Sequence, residues 1–196
     1  MFKLGLTGSI GMGKSTTARL FKEEGCDIWD ADAAVHRLYA KGGRAVAAMS
    51  AAFPEAVVEG SVSRERLKTL LSRDPAALTR IEKIVHPLVA EDRAEFLAQS
   101  VADIVVFDIP LLFEKGGEKH LDAVACVSVG PEIQRKRVLE RGTMTEDQFR
   151  HILSKQMPDA EKRAKADFVI ITDTLEHARA QVHTIVEQIK DRETHA

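Results

Sequence analysis

Short apolar runs alternate along this chain with longer stretches of mixed polarity. Lys3–Thr7, Asp27–Trp29, Ile104–Asp108, Ala123–Val129 and Phe168–Ile171 are β-rich and show little clean alternation. That is the pattern of strands buried on both faces of a parallel sheet. Between them the pattern predicts helices at about 14–24, 31–40, 43–53, 64–71, 75–99, 131–141, 145–156 and 174–191. The last carries Leu175, Ala178, Val182, Ile185, Val186 and Ile189 at spacings of three and four, one apolar face. Strands alternating with helices predict an α/β fold with a doubly wound parallel sheet.

Two stretches exceed a minimal alternation. Residues 31–102 contain several helices and no convincing strand, and residues 141–157 form a basic turn and a helix after the fourth strand. Ligands of such sheets bind beyond the carboxyl ends of the strands, where inserts can serve as substrate walls or lids. The plainer alternative is that these helices thicken the core.

Composition narrows the class. The 196 residues are 44% hydrophobic and 30% charged, the balance of a globular domain rather than a disordered chain. With 28 basic and 30 acidic residues the formal charge is −2. That excludes a generally cationic nucleic-acid binder, but not a local basic pocket for a small polyanion. Cys26 and Cys126 have neither metal-ligand spacing nor a disulfide framework, and are expected to be reduced, as in a cytosolic protein. The apolar stretch Ile104–Phe113 is broken by Asp108 and Pro110 and falls short of the roughly 20 residues that span a bilayer. The N-terminus reads as a strand rather than a signal peptide. A cytoplasmic protein with no membrane association is expected.

The chemistry begins at Gly8-Ser9-Ile10-Gly11-Met12-Gly13-Lys14-Ser15, which satisfies G-x-x-x-x-G-K-[ST] between the first strand and the first helix. Gly8, Gly11 and Gly13 are read as allowing positive φ and a close wrap around a phosphate chain. The loop amides and the positive end of the following helix face the anion. Lys14 can bridge the β- and γ-phosphates of ATP, and the Ser15 hydroxyl can ligate Mg²⁺. Ile104–Asp108, four apolar residues ending in a carboxylate, has the form of a Walker B strand, with Asp108 near Mg²⁺ directly or through water. The chain contains no Asn, and no Asp is followed by x-x-Gly, so the guanine and γ-phosphate signatures of a GTPase switch are missing.

Asp30-Ala31-Asp32 closes the second strand, where an acceptor hydroxyl could meet the γ-phosphate. A carboxylate there can orient the hydroxyl and take its proton. Either aspartate could instead cap the helix that follows. One can cap while the other serves chemistry, and Asp32 is the preferred base.

At this point the sequence resembles the dephospho-coenzyme A kinase family, which is similar to nucleoside-monophosphate kinases. The resemblance covers nearly the whole chain. It runs through Leu6–Thr16, Asp30-Ala31-Asp32, Gly60–Arg64, His86-Pro87, Asp108-Ile109-Pro110-Leu111-Leu112-Phe113-Glu114, Gln134–Arg141, Lys155-Gln156 and Ala166-Asp167. It implies a P-loop NTPase fold, a five-stranded parallel sheet flanked by helices, with a helical substrate-binding insert and a lid. The core would comprise about 1–30, 103–140 and 158–196, the acceptor insert about 31–102 and the lid about 141–157. The implied reaction is transfer of the ATP γ-phosphate to the ribose 3′-hydroxyl of dephospho-CoA, the last step of coenzyme A synthesis.

By the same resemblance, Gly8, Gly11, Met12, Gly13, Lys14, Ser15 and Thr16 bind the nucleotide, and Ser15 and Asp108 attend Mg²⁺. Asp32 matches the family's catalytic carboxylate, His86 a substrate-contacting histidine, and Arg141 a lid arginine acting with Lys14 on the transferring group. Pro110, Leu111 and Leu112 shape the acceptor wall, with Phe113 beside them. A monomer or weak homo-oligomer is implied. Ser9 and Met12 depart from the family's usual small residues without removing a needed group. At Asp173 the family often has Asn nearby, so no adenine-binding residue is assigned in 170–174. Two readings remain open beside this one: a kinase of the same fold acting on another small acceptor, and a nucleotide-binding switch without turnover.

Overall fold

The computed structural model describes residues 1–194. In chain order it opens with β1 (Phe2–Thr7), α1 (Lys14–Glu23), β2 (Asp27–Asp30), α2 (Ala31–Tyr39) and α3 (Val46–Ala52). A small hairpin, β3 (Val57–Val58) and β4 (Ser61–Val62), precedes α4 (Arg64–Arg73) and α5 (Ala77–Gln99). Then come β5 (Ile104–Asp108), β6 (Ala123–Ser128), α6 (Pro131–Glu140), α7 (Glu146–Lys155), α8 (Asp159–Lys165), β7 (Phe168–Ile171) and α9 (Leu175–Thr194). No helix among the described residues is long and apolar enough to cross a membrane.

The described residues form two compact units, one of residues 1–29 with the chain from 100 onward and one of residues 30–99. The first holds a five-stranded parallel sheet of order β2-β5-β1-β6-β7. The register sets Leu4 beside Val106 and Ala123, and Leu6 beside Asp108 and Ala125. Every residue of β5 and β6 is buried, which is why these strands read as unbroken apolar runs. Leu4, Leu6, Phe21, Val106, Ala125, Val127 and Ile170 pack with Val182, Val186 and Ile189 of α9 in one core. The face expected of α9 is therefore buried, except Leu175, which is 43% exposed and has another place described below.

The second unit is helical around Leu38, Met49, Phe53, Leu67, Ile81 and Val85. The expectation of no strand in 31–102 is corrected by the β3–β4 hairpin. Glu59 (φ 49°) and Gly60 (φ 79°) supply the two positive φ angles that a tight turn of this hand requires. Two-residue strands are too short for any periodicity to reveal. α8 was also absent from the predicted elements, because its sequence, Asp-Ala-Glu-Lys-Arg-Ala-Lys, displays no apolar face. Pro87 lies inside α5, and the helix runs on to Gln99.

Candidate active site

The loop between β1 and α1 is shaped by its glycines in two different ways. Gly11 (φ 78°) and Gly13 (φ 91°) occupy the left-handed region, and Gly13 is the residue at which α1 begins. Gly8 is not among the positive-φ residues, which corrects one part of the loop reading. It is needed for space, since a Cβ there would stand 2.3 Å from the Val127 side chain. Met12 points inward, its Sδ 3.2 Å from the Val129 amide, and its N–H donates to Ser9 C=O at 3.2 Å, so Met12 shapes the loop from within. Ser15 and Thr16 are exposed in the first turn of α1.

Lys14 and Asp108 form an ion pair at the ends of adjacent elements, with the carboxylate buried. Beyond Asp108 the chain is pinned by Ile109 N–H to Leu6 C=O (3.0 Å) and by the Thr7 hydroxyl to Pro110 C=O (3.1 Å). The Lys162 ammonium also approaches Pro110 C=O, at 3.4 Å, and pairs with Glu114 Oε1 at 2.9 Å. Lys162 is wholly buried, and nothing in the basic run of α8 distinguished it from a solvated lysine. Burial alone would raise the Glu114 carboxyl, but the Lys162 ammonium and the Met157 amide (2.9 Å) outweigh it and hold it below its ordinary value.

The acceptor-wall expectation divides here. Leu111 is partly exposed, whereas the Leu112 side chain is wholly buried against Phe113 and Val124. The Leu112 side chain therefore supports the loop from inside, and Leu111 is the one that presents surface at this edge. A Cβ at Gly5 would reach it at 2.8 Å, so the space is fully taken.

Beside the phosphate loop lies a cavity of about 240 Å³, lined by Gly13, Thr16, Thr17, Arg137, Arg141, Thr172, Thr174, Leu175 and Ala178. Arg141 ends α6 and reaches this cavity, together with Arg137 one turn earlier. Arg137 donates to Thr172 Oγ1 (3.2 Å) and Thr172 C=O (2.5 Å). The Thr172 hydroxyl in turn donates to Met12 C=O at 2.7 Å. Arg137, Thr172 and Thr174 were not singled out from the sequence. A clue lay in the spacing of Arg137 and Arg141, one helical turn apart and so on one face. Leu175 escapes the core of α9 because it belongs to this cavity. Four threonines, two arginines and apolar patches from Leu175 and Ala178, next to a phosphate loop, suit a nucleoside and its anionic chain.

In the second unit the two aspartates separate. Asp30 accepts the Ala33 N–H at 3.0 Å and caps α2. Asp32 is exposed in the first turn, and its carboxylate has no hydrogen-bond partner among the described residues; only its carbonyl is used, by Arg64 at 3.4 Å. His86 is an exposed residue of α5, with Nε2 4.0 Å from Glu82.

Between α6 and α7 the chain is tied by Glu146, which accepts from Arg135 (2.8 Å) and Arg150 (3.1 Å). The Arg135 guanidinium first, and Arg150 with it, hold the Glu146 carboxyl below its usual range. Thr145 and Gln148 form a reciprocal capping box that starts α7.

Among known proteins, the family model described as dephospho-CoA kinase matches residues 2–177. The dephospho-CoA kinase of Ruegeria pomeroyi is 67% identical, over 100% of this chain and 99% of its own. A crystal structure of TT1252 from Thermus thermophilus matches at TM-score 0.87 and 33% identity, covering 95% of this chain and 96% of that one. The fold is also shared with a dephospho-CoA kinase from Campylobacter jejuni, at TM-score 0.69 and 23% identity over 97% and 98% of the two chains.

Proposed function

The chain belongs to the dephospho-CoA kinase family, and from that premise we propose how its residues carry out the reaction. That reaction is ATP-dependent phosphorylation of dephospho-CoA, the last step of coenzyme A synthesis. The phosphate loop, through the main chain of Gly8, Gly11 and Gly13–Thr16, holds the phosphates, and the cavity lined by Arg137, Arg141, Thr172, Thr174 and Leu175 holds the nucleoside. Lys14 and Arg141 stabilise negative charge that spreads over the transferring group. His86 of the helical unit, Pro110 and the exposed Leu111 are assigned to the acceptor, and residues 141–157 to the lid.

Asp32 orients the ribose 3′-hydroxyl and takes its proton. The observation that carries this role is the division of labour at the start of α2, where Asp30 alone caps the helix and Asp32 keeps an unengaged carboxylate. Transfer is direct and in line, without a phospho-enzyme.

Mg²⁺ fits the side chains present. The Ser15 hydroxyl is exposed and has no hydrogen-bond partner among the described residues, and Asp108 offers a carboxylate at the end of β5. Too few carboxylates and imidazoles gather among the described residues for an all-protein cage, as expected of an ion completed by phosphate oxygens and water. When bound there, the ion neutralises charge on the β- and γ-phosphate oxygens. We place the protein in the cytoplasm as a monomer or weak homo-oligomer; its two cysteines are buried and unpaired, as suits a reducing compartment.

The test is ADP release with Mg·ATP and, in turn, dephospho-CoA, AMP, CMP, shikimate or no acceptor. Turnover confined to dephospho-CoA, with a product of coenzyme A mass, supports the reading. Equal turnover with another acceptor contradicts it.

A further inference from the structure

Ile10 lies midway along the phosphate loop, and side chains from two different helices take both of its main-chain polar groups. Its N–H donates to Gln156 Oε1 at 3.1 Å, and its C=O accepts from Gln134 Nε2 at 2.7 Å. A main-chain N–H can meet only the oxygen of a glutamine amide, and a C=O only its nitrogen, so the two contacts also fix how each amide is turned. Gln134 is a buried residue of α6, and Gln156 is the residue on which α7 ends. The loop is thus gripped by the helix that enters the 141–157 segment and by the end of the helix that leaves it.

The next residue fixes this exit from the other side. Met157 N–H donates to Glu114 at 2.9 Å, and Glu114 is held by the buried Lys162. Gln156 and Met157 therefore tie the end of α7 both to the phosphate loop and to the chain beyond β5. A loop with glycines at 8, 11 and 13 has many main-chain conformations to lose on binding an anion. Each peptide is a rigid plane, so holding the N–H and C=O of Ile10 orients the two peptides that flank it. Glutamine does this without placing a charge beside the phosphates.

We propose that Gln134 and Gln156 are positioning residues. They preset the peptides at Ile10 so that the following amides of Gly11 and of Gly13 to Ser15 face the phosphates of ATP, while the Met12 amide closes the loop on Ser9 C=O, and Gln156 couples that arrangement to the placement of α7. The inference rests on the reading that this loop binds ATP, and it predicts a loss selective for the phosphate chain. The nucleoside cavity, with none of these residues in its lining, is left unchanged.

The experiment measures Mg·ATP and adenosine affinities by calorimetry for the wild type, Gln134→Met, Gln156→Met and the double variant, with melting temperatures alongside. Methionine keeps the length and removes the polar atoms. Each single change is expected to weaken ATP binding by about 3–10-fold, the worth of one hydrogen bond, while adenosine stays within about 2-fold. The double variant should lose less than the product of the two singles, because the first loss already frees the Ile10 peptides. In turnover, KM for ATP should rise and KM for dephospho-CoA should not. Equal weakening of ATP and adenosine, or a folded Gln156→Met protein with wild-type ATP affinity, overturns the proposal. Gln156, at a helix end, keeps the test decisive if Gln134→Met fails to fold. A wild-type protein that does not bind ATP overturns the ATP reading itself, which is a separate and recognisable failure.

Discussion

Lys14 and Asp108, 94 residues apart in sequence, are held together as an ion pair whose carboxylate is 5% exposed. The register of β1 on β5, with Leu6 beside Asp108, brings the end of the Walker B strand to the start of the phosphate loop. The lysine is thereby held on the Asp108 carboxylate beside the phosphate loop. Lys14→Ala should lower kcat by about 10²–10³, the loss typical of one preorganised charge-stabilising donor, and weaken ATP binding as well. Steady-state kinetics with ATP calorimetry check both, and undiminished turnover would contradict the assignment.

The pair of the buried Lys162 with the part-exposed Glu114 predicts a specific instability. Lys162→Met leaves the Glu114 carboxylate without its ammonium partner and should cost about 1–3 kcal/mol in urea unfolding at pH 7. Glu114→Gln in the same chain should restore part of that loss.

The same pair carries a pH signature. Because the folded Glu114 carboxyl sits below its ordinary value, its stabilising contribution is fully present above the unfolded pKa of about 4.3. It is lost as pH falls through the lower folded value. Unfolding free energies measured from pH 6 down to pH 3 should fall less steeply in Glu114→Gln than in the wild type, and parallel curves would contradict this origin.

Leu111 and Leu112 are adjacent but should respond in opposite ways. Leu112→Ala removes a fully buried side chain and should destabilise by about 2–5 kcal/mol. Leu111→Ala should leave the melting temperature close to wild type and raise KM for dephospho-CoA. Thermal unfolding and acceptor kinetics on the two variants separate support from contact.

Both thiols should be silent in the native protein. Burial pushes Cys126 up to about 12 and Cys26 up to about 11, so neither carries appreciable thiolate at pH 8. A disulfide-exchange reagent should label no thiol in the folded chain and both after unfolding in denaturant.

What the sequence disclosed follows from how local each signal is. The phosphate loop and β5 are contiguous, and their chemistry is written in neighbouring residues; β5 and β7 have the limits the apolar runs predict. The capping role of Asp30 is also a local matter: sequence offered two aspartates two residues apart and preferred Asp32 for chemistry, and the hydrogen bond to Ala33 N–H makes Asp30 the cap. Lys162 and Arg137 were hidden for another reason. Each sits in a run of charged residues that reads as solvated, and only packing across 52 residues to Pro110, or 35 to Thr172, shows otherwise. The difference between Leu111 and Leu112 is hidden as well, because in sequence a leucine at such an edge looks the same whether it faces outward or into the core.

The central claim, that Asp32 is the base, is tested most directly by single-turnover transfer from γ-labelled ATP to dephospho-CoA in wild type and Asp32→Asn, with ATP affinity measured in parallel. The account predicts a transfer rate lower by about 10²–10⁴ in Asp32→Asn, with folding and ATP affinity little changed. A wild-type transfer rate in a folded, ATP-binding Asp32→Asn protein would remove Asp32 from the mechanism.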